Sequence, residues 1–215
     1  MRLSFIGMSG TGKSHWSSQL VERGFTRFCC DYLIAERLKP EVASLNGTKH
    51  SLAEWMGFPY EAHFAEREAQ YLATEIEVLD EILSYLEALP VDSPENIIVD
   101  STGSVIYTGQ AMLERLRRQT TMIYLDTPLA VQERMHAIYL TNPAPVLWQG
   151  HFNRQPGESN AAALARCYPE LLTSRTHEYK QWAEISLDYH LLRQPGFTVD
   201  DFLAEINSRI HPATP

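Results

Sequence analysis

Residues 2–16 run "RLSFIGMSGTGKSHW". A short β-rich stretch, 2–6, meets at once a segment with glycines at Gly7, Gly10 and Gly12 that ends in Lys13-Ser14. A structural turn needs one or two glycines. The spacing Gly7-x4-Gly12-Lys13-Ser14 instead fits the G-x-x-x-x-G-K-[ST] loop that wraps a polyphosphate. Glycines let backbone N–H groups close around phosphate oxygens without a Cβ in the way, and they permit positive φ. A helix starting near Lys13 turns its positive end toward the anion. Lys13 would neutralise the β- and γ-phosphates, and Ser14 would offer its hydroxyl to Mg²⁺. The expected ligand is a nucleoside triphosphate, held by Gly7, Gly10, Thr11, Gly12, Lys13 and Ser14, with His15 a minor contributor beside them. The loop does not name the reaction.

Outward from the loop, helix and strand signals alternate. Residues 13–23 predict a helix with Trp16 and Leu20 on one face and Gly24 as its stop. "FTRFCC" (25–30) predicts a strand ending at Asp31, followed by a helix over "YLIAERL" closed by Pro40. The longest helical pattern is 61–88, where Phe64, Tyr71, Leu72, Ile76, Leu79, Leu83 and Leu86 recur at helical spacing. "NIIVD" (96–100) and "TMIYL" (121–125) are buried-strand signals, with helices expected near 109–118 and 128–138. The stretch 141–160 carries three prolines and two glycines with little periodicity, long enough for a loop to require a functional or disordered explanation. Helix returns over 161–184, then a strand in "EISLD" and a helix at 199–210. Such alternation predicts an α/β fold of three layers, a parallel sheet flanked by helices on both faces.

Composition narrows the function. With 215 residues the chain suits one domain. A net charge of -9 and only four lysines argue against nucleic acid or an anionic membrane as partner. No run reaches the roughly 18 apolar residues of a membrane span. Cys29, Cys30 and Cys167 form no C-x-x-C pair, so idle or buried thiols in a reducing, cytoplasmic setting are expected. The eight histidines show no metal-ligand spacing.

Several polar residues admit two readings. Asp100 ends a buried strand, where open parallel sheets bind ligands, and would support Mg²⁺ with Ser14, the reading the loop favours; the alternative is a residue that opens a turn, since "DSTG" has turn chemistry of its own. Asp31 is either the N-cap of the following helix or a group that bonds a ligand hydroxyl. Arg67 lies within an apolar helical stripe, snorkelling at the core's edge or facing a polar cleft. Arg175 is either a solvated surface charge or a carboxylate ligand.

Taken together, the loop, Asp31, Arg67, "STG", Arg134 and Arg175 make the chain resemble the shikimate kinase family over most of its length. "FCCDYLIAE" is similar to the family's second-strand stretch, where Asp31 matches the residue bonding the acceptor's hydroxyls. "FAEREAQYLATE" is similar to its arginine-bearing helix, where Arg67 matches a carboxylate-gripping arginine. "IIVDSTGSVI" occupies the place of its triple-glycine substrate loop, bringing Thr102 and Gly103 to the acceptor. "LLTSRTHEYKQWAEISLD" looks like its late helix, Arg175 matching the second carboxylate-binding arginine. Arg134 matches the arginine on the adenine side.

The resemblance implies a single domain over 1–215 of the P-loop NTPase, nucleoside-monophosphate-kinase-like type. It implies a substrate-binding helical part at about 32–90, a mobile lid at about 139–160, and a monomer or weak dimer. The implied activity is ATP- and Mg²⁺-dependent phosphoryl transfer to a hydroxyl of a small carboxylated metabolite, with Lys13 and Asp31 catalytic. Three departures stand out. Cys29 replaces an acidic metal partner, Ser101-Thr102-Gly103 replaces the triple glycine, and Ala144-Pro145-Val146-Leu147 lacks the family's transition-state arginine. Arg154 is the nearest replacement for that arginine. The departures leave two alternatives: an ATP-binding regulatory relative without turnover, or a kinase of a nucleoside, sugar acid or antibiotic.

Overall fold

Five apolar runs form the sheet: β1 (Arg2–Ile6), β2 (Phe25–Cys29), β3 (Asn96–Asp100), β4 (Thr121–Leu125) and β5 (Ile185–Leu187). The computed structural model describes residues 1–43, 51–90, 92–141 and 145–210. All strand pairs are parallel, in the order β2-β3-β1-β4-β5. In β1, β3 and β4 every residue after the first is buried, as a parallel strand covered on both faces requires.

The helices are α1 (Lys13–Val21), α2 (Cys30–Ala43), α3 (Leu52–Met56), α4 (Phe64–Ala88), α5 (Gln110–Gln119), α6 (Leu129–Thr141), α7 (Asn160–Trp182) and α8 (Val199–Ile210). On one face Trp16 of α1 stacks on Phe202 of α8 at 4.6 Å, and Phe202 meets Phe5 of β1 edge-on at 5.6 Å. On the other, Ile97, Val99, Met122 and Tyr124 pack against α2, α4, α5 and α7. The sheet thus lies between two helical layers. Among the described residues no helix is long and apolar enough to cross a membrane.

Several boundaries differ from expectation. The second strand stops at Cys29 and α2 begins at Cys30, so Asp31 sits inside the first helical turn and is not an N-cap. A carboxylate there still complements the helix's positive end. Pro40 does not close α2, which runs on to Ala43; α7 likewise passes through Pro169. A proline removes one helical hydrogen bond, and packing elsewhere along the helix outweighs that loss. The long helix begins at Phe64, three residues later than its periodicity suggests, because Glu61 turns back to accept from the Phe58 N–H at 3.0 Å. The five-residue α3 escaped periodicity but carries a capping box, Ser51 with Glu54, written in the sequence as S-x-x-E.

The stretch expected as a lid is docked where the structure describes it; Asn142 to Ala144 lie outside the described residues. Trp148 is 1% exposed and packs against Tyr139, Tyr168 and Phe152. Its Nε1–H donates to the Tyr139 hydroxyl at 3.3 Å. The backbone N–H groups of Trp148 and Gln149 both donate to Glu68 of α4, the second at 3.0 Å. Gln149 takes φ of 48°, a left-handed turn that lets its N–H share that carboxylate. Trp148→Ala should destabilise the protein by about 3–5 kcal/mol, the usual cost of deleting a buried large aromatic. Thermal unfolding would register this as a Tm lower by about 10 °C. A shift of only a degree or two would mean that the tryptophan does not anchor the segment.

Candidate active site

Because β1 pairs with β3, the loops that follow them, 7–12 and 101–104, emerge side by side at the carboxyl end of the sheet. Open parallel sheets bind ligands at this edge. A cavity of about 530 Å³ opens there. Gly10, Gly12, Lys13 and Ser14 line one side. Asp31, Thr102, Gly103 and Arg175 also line the cavity, with His15 at the rim, so nine of the expected residues share one space.

The phosphate loop has the expected backbone. Gly7 and Gly12 take φ of 141° and 106°, and a Cβ on Gly7 would lie 3.1 Å from the Leu125 carbonyl. Lys13 is buried, and its ammonium donates to the Gly7 and Met8 carbonyls at 2.7 and 2.9 Å. Desolvation lowers its pKa, with the negative charges of Asp31 and Asp100 opposing the drop. Thr11 turns inward, its hydroxyl donating to Met8 at 3.0 Å; it and Gly7 shape the loop from behind without lining the cavity. Ser14 and His15 stand exposed at the rim.

Arg193, which carries no sequence signal, braces the loop from outside. Its Nη2–H donates to the Thr11 carbonyl at 2.9 Å while the guanidinium stacks 3.6 Å from the Tyr189 ring centre. A second cavity of about 290 Å³ shares Ser9 and Gly10 with the first and holds Arg134, Tyr168 and Tyr189 on its walls. Arg134 is exposed on α6.

Asp100 is buried at the end of β3, with Phe5 of β1 and Cys29 of β2 as its register partners. Its Oδ2 accepts from Ser17 at 2.9 Å and from Arg27 at 2.5 Å. Its Oδ1 is buried without a hydrogen-bond partner among the described residues. One carboxylate oxygen thus remains to meet a metal-bound water, which fits Mg²⁺, an ion that keeps several waters when bound. Arg27 already neutralises this carboxylate from β2, and in sequence it looks like an ordinary strand residue. Among the described residues no group of three or more His, Cys, Asp or Glu is placed to hold a metal.

Asp31 is open to solvent through the cavity. Crowding by surrounding protein raises its pKa, and the Lys13 ammonium pulls it back down. Arg175 is 5% exposed yet makes no ion pair among the described residues. Its Nε–H donates to the Tyr107 hydroxyl at 3.3 Å and its Nη2–H to the Leu147 carbonyl at 2.6 Å. The guanidinium also lies 5.3 Å from the Tyr107 ring centre. A buried arginine without a carboxylate partner has the chemistry to receive an anion.

Arg67 and Arg154 lie outside the cavity. Arg67 is half-buried on α4, donates to the Trp55 carbonyl at the end of α3 and sits 5.7 Å from that indole. Arg154 donates to the Asn160 side chain at 3.1 Å. Sequence reading also passed over Glu75, a carboxylate buried one turn beyond Tyr71 and bonded to Thr102 and Ser104. Its signal was there: residue 75 falls on the stripe of Tyr71, Val78 and Leu79, and an acid on a buried stripe needs partners. Cys30 and Cys167 are buried, and burial pushes the Cys30 thiol well up, so it does not act as a thiolate.

No family model matches the chain. No curated protein matches it in sequence. Among solved structures, the shikimate kinase from Acinetobacter baumannii in complex with shikimate is similar over 97% of this chain and 91% of its own, at 18% identity and a TM-score of 0.53. At that identity the likeness speaks for architecture. The chain has the shikimate-kinase-like fold, a parallel α/β sheet with a phosphate loop after its first strand, in a strongly diverged sequence.

Proposed function

We propose that the protein transfers the γ-phosphoryl group of ATP to a hydroxyl of a small carboxylated metabolite. One observation carries this reading. A glycine-rich amide loop with a buried lysine and a buried arginine without an ion-pair partner among the described residues open onto the same cavity, with Asp31 on its wall. The structural likeness to a kinase solved with the carboxylated ligand shikimate points the same way.

In this mechanism the loop amides and Lys13 hold the β- and γ-phosphates and disperse the charge that builds up during transfer. Ser14 and Asp100 would hold Mg²⁺, which supplies further charge neutralisation when bound. Arg175 takes the acceptor's carboxylate, and Arg67, engaged with Trp55, leaves that task to it. Thr102 and Gly103 form the wall beside the acceptor. Asp31 orients the acceptor hydroxyl and takes its proton late, as the oxygen bonds to phosphorus. Arg134 and Tyr189 flank the second cavity, where the base would lie. The segment anchored by Trp148 supplies Val146 to the cavity wall and limits water there, restraining hydrolysis of ATP.

The direct test is ADP release by purified protein with Mg-ATP and a panel of hydroxy acids that includes shikimate. Stimulation by a carboxylated member is expected. No stimulation by any acceptor would refute the kinase assignment. A second reading, a nucleotide-binding regulator without turnover, draws on Arg27, whose ion pair occupies one oxygen of the expected metal partner. Calorimetric binding of ATP and acceptor without turnover would favour it.

A further inference from the structure

Glu75, Thr102 and Ser104 touch one another pairwise. The Thr102 hydroxyl donates to Glu75 Oε1, and the Ser104 hydroxyl lies 2.6 Å from Oε2. The two hydroxyl oxygens are 3.0 Å apart. The Ser104 backbone N–H donates to Thr102 Oγ1, also at 3.0 Å. An ionised Glu75 can accept from both hydroxyls, but the contact between them then has no proton. A protonated Glu75 supplies the missing one. Its Oε2–H donates to Ser104, Ser104 donates to Thr102, and Thr102 donates back to Oε1. Three protons serve three contacts, and each buried hydroxyl is satisfied.

We infer that Glu75 is a positioning residue of the acceptor site, carrying a proton in a closed ring with Thr102 and Ser104. The ring locks the 101–104 loop; Thr102 Oγ1 uses both lone pairs on Ser104, and Ser104 Oγ keeps one free. Ser104 lines that cavity, so its free lone pair favours a ligand group that donates a hydrogen bond, hydroxyl or ammonium, while the anionic end goes to Arg175. This inference rests on the proposed acceptor site and narrows its ligand to a carboxylate bearing donors on the side remote from the acid.

The charges facing Glu75 agree. Asp31 and Cys30 approach from α2, Lys13 from α1, Arg175 and Tyr179 from α7, and Tyr71 from its own helix. Burial raises the Glu75 pKa to about 7, against the pull of the Ser104 and Thr102 hydrogen bonds. A carboxyl raised on folding stabilises the protein below its unfolded pKa near 4.5 and loses that contribution as pH climbs through about 7.

The test compares wild type with Glu75→Gln and Glu75→Leu. A glutamine amide donates to Ser104 and accepts from Thr102, reproducing the protonated ring without its titration. Infrared spectra at pH 6 should show a protonated-carboxyl stretch in wild type that Glu75→Gln lacks. Between pH 5.5 and 8 the wild-type Tm should fall by about 5 °C relative to Glu75→Gln. With shikimate as the probe, Glu75→Leu should weaken binding at least about tenfold and leave ATP binding unchanged, while Glu75→Gln stays within about threefold of wild type at pH 6. Should Glu75→Leu fail to fold, Thr102→Val breaks the same ring from the loop side. A missing carboxyl band, a Tm difference that does not change with pH, or shikimate and ATP affinities that fall together would overturn the inference. If the wild type binds no shikimate, the acceptor assignment fails separately, and the band and the Tm comparison still decide the ring.

Discussion

Lys13→Ala is expected to lower kcat about 1000-fold, with the fold intact. The ammonium is buried against the loop, bonded to the Gly7 and Met8 carbonyls, and its pKa is pushed down by desolvation. It therefore does its work in a low-dielectric pocket, where one preorganised donor to a developing charge is worth about 100- to 1000-fold in kcat. Stability should change little, because alanine removes a costly buried charge along with two hydrogen bonds to carbonyls that remain near the cavity. The measurement is single-turnover phosphoryl transfer at saturating ATP, alongside thermal unfolding. A variant with unchanged turnover would remove Lys13 from the chemistry. A variant that simply unfolds would recast it as a structural brace of the loop.

Arg175→Met should raise the acceptor KM about 100-fold and leave the ATP KM within about twofold. Truncating one member of a buried charged pair in a complex costs about 2–5 kcal/mol, and every 1.4 kcal/mol is tenfold in affinity. The effect on stability distinguishes this from a general packing defect. Methionine relieves the desolvation of an unpaired guanidinium, a stabilising change, but leaves the Leu147 carbonyl and Tyr107 hydroxyl without their donor, at a cost of about 1–3 kcal/mol each. The opposing effects are of similar size, so Tm should move by only a few degrees. Equal losses in both KM values would assign the arginine to the phosphates. A collapse in Tm would make it a tether between α7 and the Leu147 segment.

All five strands, the phosphate loop and α1 were legible from sequence because each depends on local order. A parallel strand buried on both faces must be continuously apolar, which "NIIVD" and "TMIYL" are, and the loop needs glycines at fixed spacing before a helix. Lys13, Asp31, Thr102, Gly103 and Arg175 are likewise legible in sequence, and the fold brings them to one cavity. Element ends were less legible. Whether Asp31 caps α2 or lies within it, and whether α4 begins at residue 61 or 64, turned on single hydrogen bonds such as that between Glu61 and Phe58.

What only the tertiary structure decided is which charges meet. Arg27 on β2 finds Asp100 on β3, Glu75 on α4 finds the 102–104 loop, and Glu68 caps the turn at Trp148, each across many intervening residues. Arg67 and Arg175 carry the same side chain, yet one packs on a tryptophan and the other lies in the cavity without an ion-pair partner among the described residues. Hydrophobic periodicity and glycine spacing are one-dimensional, so the order of residues fixes them. Burial and pairing of charge depend on which elements lie across from one another, and only the assembled sheet and its helices set that.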